Sequence, residues 1–377
     1  MAVVCIAGAG GIGSAVAVLL RQFYGAPVDI YIGDINEAAR QKAVQWIADS
    51  GSQNTVLESF DMSVDWQSDF ESRGVNVDII LDCLPGRFAP STAKAALRLG
   101  AHYVNLTEYV EETKQIMQLA EGANTGFGLQ SGVAPGFVNV LGKALFEEFC
   151  AEYGVEKANA LEMRVGALGR NAVGPHFYNF TWSPIGVATE YIKPAEVVRD
   201  HQFTVVPSLS ERRTVWVDGL LMEEELTSGG AADLPMTYQD QIANIDYKTF
   251  RYPGHWAWVD TELAKMSDDV DKIAELEKIM LSEISAVEED LIIVYAAVEG
   301  KDTNGALRRI EASYRVEPIQ IGKVKLRAIQ STTAAGMAEV ARILLEGNHT
   351  GVLLQSQIDP RSYLNGPFAG VIYGQRR

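Results

Sequence analysis

Apolar and polar positions alternate with a regular rhythm over the first 140 residues. Short apolar runs predict buried strands at 3–8, 28–34, 55–61, 77–83, 101–106 and 126–132. Longer amphipathic runs predict helices at 12–23 and 36–50, with further helices after Pro90 and after the fifth strand. Asn36 is placed to cap the second helix. Strands that alternate with helices imply right-handed crossovers, so we predict an α/β domain with a doubly wound parallel sheet.

The pattern changes after about residue 138. Strand-like runs become longer, and helices are predicted at 137–154 and 268–284. The long strand-like runs lie at 160–169, 212–221, 290–300 and 306–316. Longer strands with few crossover helices are typical of an α+β domain with a partly antiparallel sheet. A last amphipathic helix, at 332–347, is like the helices of the first domain and predicts that the chain returns there.

The chain has 377 residues, which exceeds the roughly 250–300 residues at which a single core stops growing. We therefore predict an N-terminal domain over 1–137 and an inserted domain over 138–329. A C-terminal segment over 330–377 is predicted to rejoin the first domain.

The formal net charge of −17 argues against nucleic acids and anionic membranes as partners, because both bind basic surfaces. Glycines interrupt the apolar start of the chain, and it has no basic segment, so no signal peptide or membrane span is predicted. Cys5, Cys83 and Cys150 lack a C-x-x-C spacing, which indicates reduced thiols and a cytoplasmic protein. No metal site is predicted.

A glycine motif lies between the first predicted strand and helix. Residues 8–13, GAGGIG, fit G-x-G-x-x-G, and this strand-to-helix context is the one that the motif needs. Gly8 permits a tight turn, Gly10 lets a pyrophosphate approach the backbone, and Gly13 lets helix and strand pack closely. The phosphates then meet the unpaired N–H groups of the helix N-terminus, beside Gly11 and Ile12. We predict a dinucleotide-binding Rossmann domain; the alternative is a glycine-rich turn without a ligand.

Asp34 ends the second predicted strand, 21 residues after Gly13. A carboxylate here can accept hydrogen bonds from both ribose hydroxyls and repels a 2′-phosphate, which favours NAD over NADP. Ile35 follows in the same loop. Arg40 is close enough in sequence to keep NADP as the alternative.

Loops at the carboxyl ends of the other strands should line the same crevice. Asp61 ends the third strand and is predicted to face the adenine, with an exposed loop aspartate as the alternative. The other predicted cofactor positions follow the fourth and sixth strands: Cys83, Leu84, Pro85, Gly132, Pro135, Gly136 and Asn139.

A competing motif is present at Tyr153 and Lys157, which fit the Y-x-x-x-K pair of short-chain dehydrogenases. That pair needs a continuous helix, so that positions i and i+4 share a face. Gly154 disfavours a helix by about 1 kcal/mol. We interpret this match as chance.

Five stretches together resemble the saccharopine dehydrogenase-like family: IAGAGGIGSA, GVAPGFVN, FYNFTWSPIGVATEYIKPA, TSGGAADLP and NIDYKTFRYPGHW. Its members include saccharopine reductase, lysine 6-dehydrogenase and carboxynorspermidine dehydrogenase. The resemblance extends from the glycine motif to LLQSQID at 353–359. It implies a Rossmann domain, an inserted substrate-binding and dimerisation domain, and a C-terminal segment that rejoins the first domain, in a homodimer.

The resemblance can be followed residue by residue. The matching positions are Gly8, Gly10, Gly13, Asp34, Gly132, Pro135, Gly136, Asn139, Trp182, Arg251 and His255. One stretch departs from the family: GALG at 166–169 replaces GGLP, which leaves the particular substrate open.

The resemblance implies an NAD(P)-dependent oxidoreductase that acts at a carbon bearing nitrogen, in an amino acid or polyamine-like substrate. We expect oxidation like that of lysine 6-dehydrogenase. The alternative within the family is reductive condensation of an amine with an aldehyde or keto acid. A non-catalytic dinucleotide sensor or scaffold is the alternative of another class.

Amine oxidation requires a proton acceptor, and His255 has a suitable ordinary pKa near 6.5. Glu108 is the other candidate for the proton acceptor. The alternative is that Glu108 is only a carboxylate at a helix N-terminus, where the helix dipole favours a negative charge. Arg251 is predicted to bind a substrate carboxylate, with a simple ion pair as the alternative. Trp182, Tyr178 and Tyr252 are predicted to shape the substrate pocket, although aromatic residues are more often core.

Overall fold

A computed structural model describes residues 1–51, 55–107, 110–171, 173–267 and 269–377. The chain divides into two compact units. The first unit comprises Met1–Phe137, Ile319–Leu326 and Gln330–Ile372. The second comprises Val138–Pro318, Arg327–Ile329 and Tyr373–Arg377.

The N-terminal part of the first unit alternates strands and helices. Its strands are β1 (Ala2–Ala7), β2 (Val28–Asp34), β3 (Leu57–Asp61), β4 (Ile79–Asp82), β5 (His102–Asn105) and β6 (Gly126–Gly128). Its helices are α1 (Gly11–Phe23), α2 (Glu37–Ser50), α3 (Trp66–Ser72), α4 (Ala89–Leu99) and α5 (Val110–Leu119), with a short 3₁₀ turn at Gly86–Phe88. Asn36 caps α2 as predicted, because its side chain accepts a hydrogen bond from the Ala39 amide.

The second unit includes α6 (Phe137–Tyr153) from Val138 onward. Its strands are β7 (Ala158–Gly169), β8 (Ala195–Arg199), β9 (Gln202–Val206), β10 (Arg213–Val217), β11 (Leu220–Leu226), β12 (Ile242–Arg251), β13 (Asp290–Lys301) and β14 (Leu307–Val316). Its helices are α7 (Pro184–Ile192), α8 (Leu234–Tyr238), α9 (His255–Lys265) and α10 (Lys272–Glu283).

The chain ends with β15 (Ile319–Ile321), β16 (Val324–Leu326), α11 (Ala328–Glu346), β17 (Gly351–Leu353), α12 (Pro360–Leu364) and α13 (Ala369–Tyr373), with a 3₁₀ turn at Gln355–Gln357. β17 pairs in parallel with β6 and completes the first sheet.

The first unit contains a seven-stranded parallel sheet in the order β17-β6-β5-β4-β1-β2-β3. Strands β1, β2 and β4 are largely buried, and Cys5, Ile80, Tyr103 and Phe127 lie in the core of this unit. The carboxyl ends of these strands lie along one edge. The predicted doubly wound parallel sheet is confirmed.

The second unit contains an eight-stranded mixed sheet in the order β10-β11-β12-β7-β13-β14, with the β8–β9 hairpin attached to β12. Only the β12–β7 pair is parallel among these strands. The predicted α+β character is confirmed. The stretch between β7 and β10, for which no helix or strand was predicted, holds α7 and the hairpin β8–β9.

None of the helices in the described part of the chain combines the length and apolar character that a bilayer crossing requires.

Candidate functional site

The glycine motif forms the turn from β1 into α1. Gly8 has φ +108°, and a Cβ there would lie 2.9 Å from the Cys83 carbonyl oxygen. A Cβ on Gly13 would lie 2.0 Å from the Gly8 carbonyl oxygen, so turn and helix pack as closely as two glycines allow. Gly10 caps α1, and no atom lies within 4 Å of where its Cβ would be. The backbone at Gly10 is therefore open to an approaching group.

The start of α1 is suited to an anion. Gly10 offers no side chain to cap the helix, and the first turn, with Gly11 and Ile12, contains no acidic residue. The helix dipole and the first amide groups are then available to a phosphate. Together with the open backbone at Gly10, this geometry fits the pyrophosphate of a dinucleotide.

Asp34 lies beside this turn, at the end of β2. Its Oδ2 accepts a hydrogen bond from the Ala9 amide at 3.0 Å, and its Oδ1 accepts one from the Asn36 amide at 2.9 Å. Each oxygen keeps a further lone pair for a ligand hydroxyl. The Arg40 Nη1 donates to the Asp34 carbonyl at 2.6 Å, and Ile35 is largely exposed. The carboxylate is thus held in place next to the glycine turn.

Two further strand ends lie along the same sheet edge. Asp61 pairs with Asp34 in the β2–β3 register, and Ser63 holds its carboxylate through both hydroxyl and amide. The hydrogen bond from the Ser63 hydroxyl is the main cause of the lowered pKa of Asp61. The loop at Cys83, Leu84 and Pro85 follows β4, and the buried Asp82 Oδ1 accepts from the Leu84 amide at 3.1 Å.

The loop after β6 is folded on itself. The Gly132 amide donates to the Pro135 carbonyl at 2.9 Å, and the Phe137 amide donates to the Gly132 carbonyl at 3.0 Å. Gly136 has φ +133°, and a Cβ there would lie 2.2 Å from the Gly132 oxygen. Gly132, Pro135 and Gly136 are buried, so these residues present little surface to a cofactor.

Asn139 belongs to the second unit, unlike the other predicted cofactor residues. It is fully buried in α6, and its Nδ2 donates to the Gly230 carbonyl at 3.0 Å. Glu108, the predicted rival base, lies outside the described residues.

The Y-x-x-x-K match does not form a helical pair. Tyr153 is the last residue of α6, and Gly154 leaves the helix with φ +65°. Lys157 therefore does not share a helix face with Tyr153.

Strand β12 separates two environments in the second unit, because successive side chains point to opposite faces of a sheet. Tyr247, Thr249 and Arg251 lie on one face. Phe250 and Tyr252 belong to a different apolar cluster, with Leu168 and Met222. Tyr252 is thus separated from the other predicted substrate residues.

Arg251 ends β12 and is 1% exposed. Its Nε donates to the Tyr191 hydroxyl at 2.7 Å, and its Nη1 donates to the Phe250 carbonyl at 2.9 Å. Its Nη2 lies 3.9 Å from the Glu190 Oε2, which is ion-pair distance without a direct hydrogen bond. Burial disfavours the charge, but Tyr191, Tyr178 and Glu190 outweigh it and raise the pKa of Arg251.

His255 begins α9 and is fully buried. Its Nδ1 lies 2.8 Å from the His176 carbonyl, which can only accept, so Nδ1 carries the proton. Its Nε2 then accepts from the Tyr191 hydroxyl at 3.0 Å. Burial, and next the charge of Arg251, lower the pKa of His255 to about 3. The result is a directed chain from Arg251 through Tyr191 and His255 to the His176 carbonyl.

Aromatic rings enclose this chain. The Arg251 guanidinium lies 4.7 Å from the Tyr178 ring centroid, and Tyr178 lies 4.9 Å from the His255 ring. Burial raises the pKa of Tyr178 to about 12, with Arg251 opposing. Trp182 is half-buried and packs against the same cluster. The structure thus brings together Tyr178, Trp182, Arg251 and His255.

Two residues of this cluster, Glu190 and Tyr191, were missed by the sequence analysis. Both lie in α7, which begins with Ser183 as N-cap and Pro184 in the first turn. The Ser-Pro pair is a signal for a helix start and could have identified α7. The helix was missed because it has only nine residues.

The opposite face of the sheet carries a charged group beside the Phe250 cluster. Arg164 on β7 is 1% exposed, and it donates to the Glu224 Oε2 at 2.9 Å and to the Asp246 Oδ1 at 2.6 Å. Part of this face lines a cavity of about 850 Å³ whose rim includes the exposed Trp216.

Comparison with known proteins gave two family models and several solved structures. The model described as saccharopine dehydrogenase NADP binding domain matches residues 4–126, and that described as saccharopine dehydrogenase C-terminal domain matches residues 132–370. The apo saccharopine dehydrogenase (L-Glu forming) from Saccharomyces cerevisiae is similar, with a TM-score of 0.76 and 12% identity over 100% of this chain and 99% of that one.

A second similar structure is the homospermidine synthase from Legionella pneumophila, solved in complex with NAD. Its TM-score is 0.66, with 13% identity over 100% of this chain and 90% of that one. At such low identity, both structures establish a shared fold.

Proposed function

The chain belongs to the saccharopine dehydrogenase family of NAD(P)-binding oxidoreductases, and we propose that it oxidises the CH–N bond of an amino-acid substrate with NAD. The first unit binds the dinucleotide through Gly8, Gly10, Gly13 and Asp34. The second unit binds the substrate through the cluster around Arg251. The observation that carries the substrate assignment is the buried Arg251, whose Nη2 faces one carboxylate without a direct hydrogen bond.

A bound nicotinamide would accept the hydride, with two electrons, from the carbon that carries nitrogen. The nitrogen loses a proton and the C=N bond forms. Water then adds to that carbon, the C–N bond breaks, and an aldehyde or ketone and an amine leave.

His255 acts in this proposal as a positioning residue. Its donor and acceptor nitrogens are both engaged, and its low pKa keeps it neutral at physiological pH. It holds the Tyr191 hydroxyl, and Tyr191 holds the Nε of Arg251. Glu108 stays a prediction for the proton acceptor.

NAD is favoured over NADP by two contacts. The Asp34 carboxylate beside the glycine turn would repel a 2′-phosphate. Arg40, which could attract one, donates to the Asp34 carbonyl and lies 3.7 Å from Asp61. Fluorescence titration with NADH and NADPH tests this: tighter binding of NADH is expected, and tighter binding of NADPH would contradict it.

We also propose a homodimer. Trp216 on strand β10, at one end of the mixed sheet, is 72% exposed and is paired in register with the exposed Leu221. Exposed apolar residues on an edge strand favour association. Light scattering should give twice the chain mass, and Trp216→Lys should shift it towards one chain mass.

We propose a cytoplasmic location because the cysteines do not form disulfides. Cys5, Cys83 and Cys150 are all free. Burial raises the pKa of the Cys150 thiol, which disfavours its thiolate. Three free cysteines are typical of a reducing compartment.

The activity is tested by following NADH formation with NAD and a panel of amino acids and polyamines, L-lysine first. Turnover with an amine substrate is expected. Binding of NAD with no turnover on any amine would favour the non-catalytic alternative.

A further inference from the structure

Gln130 lies just beyond strand β6, at the carboxyl edge of the parallel sheet, and its backbone is left-handed with φ +58°. Residues other than glycine rarely adopt this conformation, because the Cβ atom then crowds the backbone. Where such a residue persists, its surroundings fix it, and such residues concentrate at ligand-binding and active sites. The strained backbone therefore marks Gln130 as a candidate for contact with a ligand.

Two buried amide side chains hold the Gln130 backbone. The Asn105 Oδ1 accepts a hydrogen bond from the Gln130 amide at 2.9 Å. From the other side, the Gln355 Nε2 donates to the carbonyls of Gln130 at 2.8 Å and of Leu129 at 2.6 Å. Asn105 ends β5, Gln355 belongs to the C-terminal segment of the same unit, and each is 1% exposed. The Gln130 backbone is thus fixed between two elements that are far apart in sequence.

The side chain of Gln130 differs from its backbone, because it has no partner of this kind. Gln130 is 8% exposed, so most of the side chain is enclosed. Its two polar side-chain atoms are not among the buried ones, and its hydrogen bonds within the described ranges all involve backbone atoms. An amide group can donate two hydrogen bonds and accept two. The Gln130 amide therefore reaches the surface with its hydrogen-bonding capacity available to a ligand.

The place of Gln130 along the sheet edge indicates which part of a dinucleotide it meets. In the strand order, β2 lies on one side of β1, whereas β4, β5 and β6 lie on the other. Asp34 ends β2 and is suited to the adenosine ribose, and the glycine turn after β1 is suited to the pyrophosphate. The nicotinamide half then extends over the carboxyl ends of β4, β5 and β6, where Gln130 lies.

From this geometry we propose that the Gln130 side-chain amide binds the carboxamide of the nicotinamide ring. Each of the two amides carries an –NH₂ donor and a carbonyl acceptor, so they can form a pair of hydrogen bonds. The proposal rests on the proposed dinucleotide binding and deepens it, because Gln130 then fixes the orientation of the ring. Asn105 and Gln355 are positioning residues, which act through the Gln130 backbone.

Three dinucleotide probes test the proposal by isothermal titration: NAD, ADP-ribose, which has no nicotinamide ring, and the NAD analogue in which an acetyl group replaces the carboxamide. Gln130→Met keeps the length of the side chain and removes the amide. It should weaken NAD binding about fivefold or more, as expected for the loss of two neutral hydrogen bonds. ADP-ribose should bind as it does to wild type. Wild type should bind NAD more tightly than the acetyl analogue, and this preference should shrink in Gln130→Met.

Gln118→Met is the matched control, because it makes the same change at an exposed position in the last turn of α5. Its affinities for all three probes should equal those of wild type. Gln130→Gly is the second variant, since glycine adopts the left-handed backbone at no steric cost and also removes the amide. It should weaken NAD and spare ADP-ribose in the same way, and it replaces Gln130→Met should that variant fail to fold.

The proposal is overturned if Gln130→Met binds NAD as wild type does, or if it weakens NAD and ADP-ribose equally. Wild-type protein that binds ADP-ribose or the acetyl analogue as tightly as NAD also overturns it. The proposed function fails separately: if no amine gives NADH while Gln130→Met weakens NAD and spares ADP-ribose, amine oxidation is wrong and the carboxamide site stands.

Discussion

Arg164 and Arg251 are both 1% exposed and lie on opposite faces of one mixed sheet, yet their surroundings differ. Arg164 is surrounded by carboxylates, with direct bonds to Glu224 and Asp246 and with Glu162 at 3.7 Å. Arg251 is surrounded by aromatic rings and has one carboxylate, Glu190, at ion-pair distance.

The two arginines differ in the partners that stabilise their charges. Burial disfavours the charge of Arg164, but Asp246, Glu224 and Glu162 more than compensate and raise its pKa. Its strongest donors are engaged by fixed partners, as in a structural ion network. Arg251 instead donates to the Tyr191 hydroxyl and the Phe250 carbonyl, and its Nη2 lies 3.9 Å from the Glu190 Oε2. Burial alone therefore does not distinguish these two arginines; their partners do.

The largest expected effect is on stability, at the charged face. Arg164→Ala leaves the buried Glu224 and the largely buried Asp246 without their main counter-ion, which should lower the free energy of unfolding by about 3–5 kcal/mol. Chemical denaturation measures it. Arg213→Ala, which removes an exposed arginine beside Glu162, should cost less than about 1 kcal/mol. Equal losses of unfolding free energy in the two variants would contradict a structural role for the buried Arg164.

The next effect is on substrate affinity, at the aromatic face. Arg251→Ala removes the buried cation of the proposed substrate cluster, and should raise KM for an amino-acid substrate about tenfold or more, equivalent to roughly 1.5–3 kcal/mol. Steady-state kinetics measure it, with Arg213→Ala as the control. A KM that matches wild type would remove Arg251 from the substrate site.

The third effect depends on pH. His255 has a pKa of about 3 in the folded protein, below its ordinary value near 6.5. Between these values the unfolded chain binds a proton that the folded protein does not, so stability falls as pH falls, by about 1.4 kcal/mol per pH unit. His255→Asn lacks this contribution, so it should lose about 1.6 kcal/mol less than wild type between pH 6.5 and 5.

The same variant separates positioning from proton transfer. With His255 as a positioning residue, the acidic limb of the kcat/KM profile should persist in His255→Asn. Loss of that limb would instead make His255 the base.

The smallest effect is expected at Tyr252. It packs with the Phe250 cluster, and its hydroxyl donates weakly to the Arg170 carbonyl at 3.4 Å. Tyr252→Phe should therefore change stability by less than about 0.5 kcal/mol and leave KM within about twofold. A large rise in KM would show that both faces of β12 contact the substrate.

The geometry of the glycine turn and its position next to Asp34 could be predicted from the sequence because the signals are local. Gly8, Gly10 and Gly13 act through backbone conformation within one turn, and Asp34 follows at the end of the next strand. The parallel sheet then places the remaining strand ends along one edge.

The proposed substrate cluster around Arg251 could be predicted only in part. Arg251 and His255 are close in sequence, but their common partner Tyr191 is 60 residues before Arg251. The alternation of side chains along a strand puts Tyr252 and Arg251 on opposite faces. That separation could not be predicted, because the Tyr-Pro-Gly sequence alone does not show where β12 ends. Burial, which sets the pKa of His255, depends on packing from α7 and α9 and has no local signal.

The most direct test of amine oxidation is transfer of deuterium. L-Lysine, saccharopine and spermidine, each deuterated at the carbons bonded to nitrogen, are incubated with the protein and NAD, and the NADH is analysed by mass spectrometry. The account predicts NADH that carries one deuterium from at least one of these amines, and a much lower yield at subsaturating substrate with Arg251→Ala. NADH without deuterium, or NAD binding with no NADH from any of them, would contradict it.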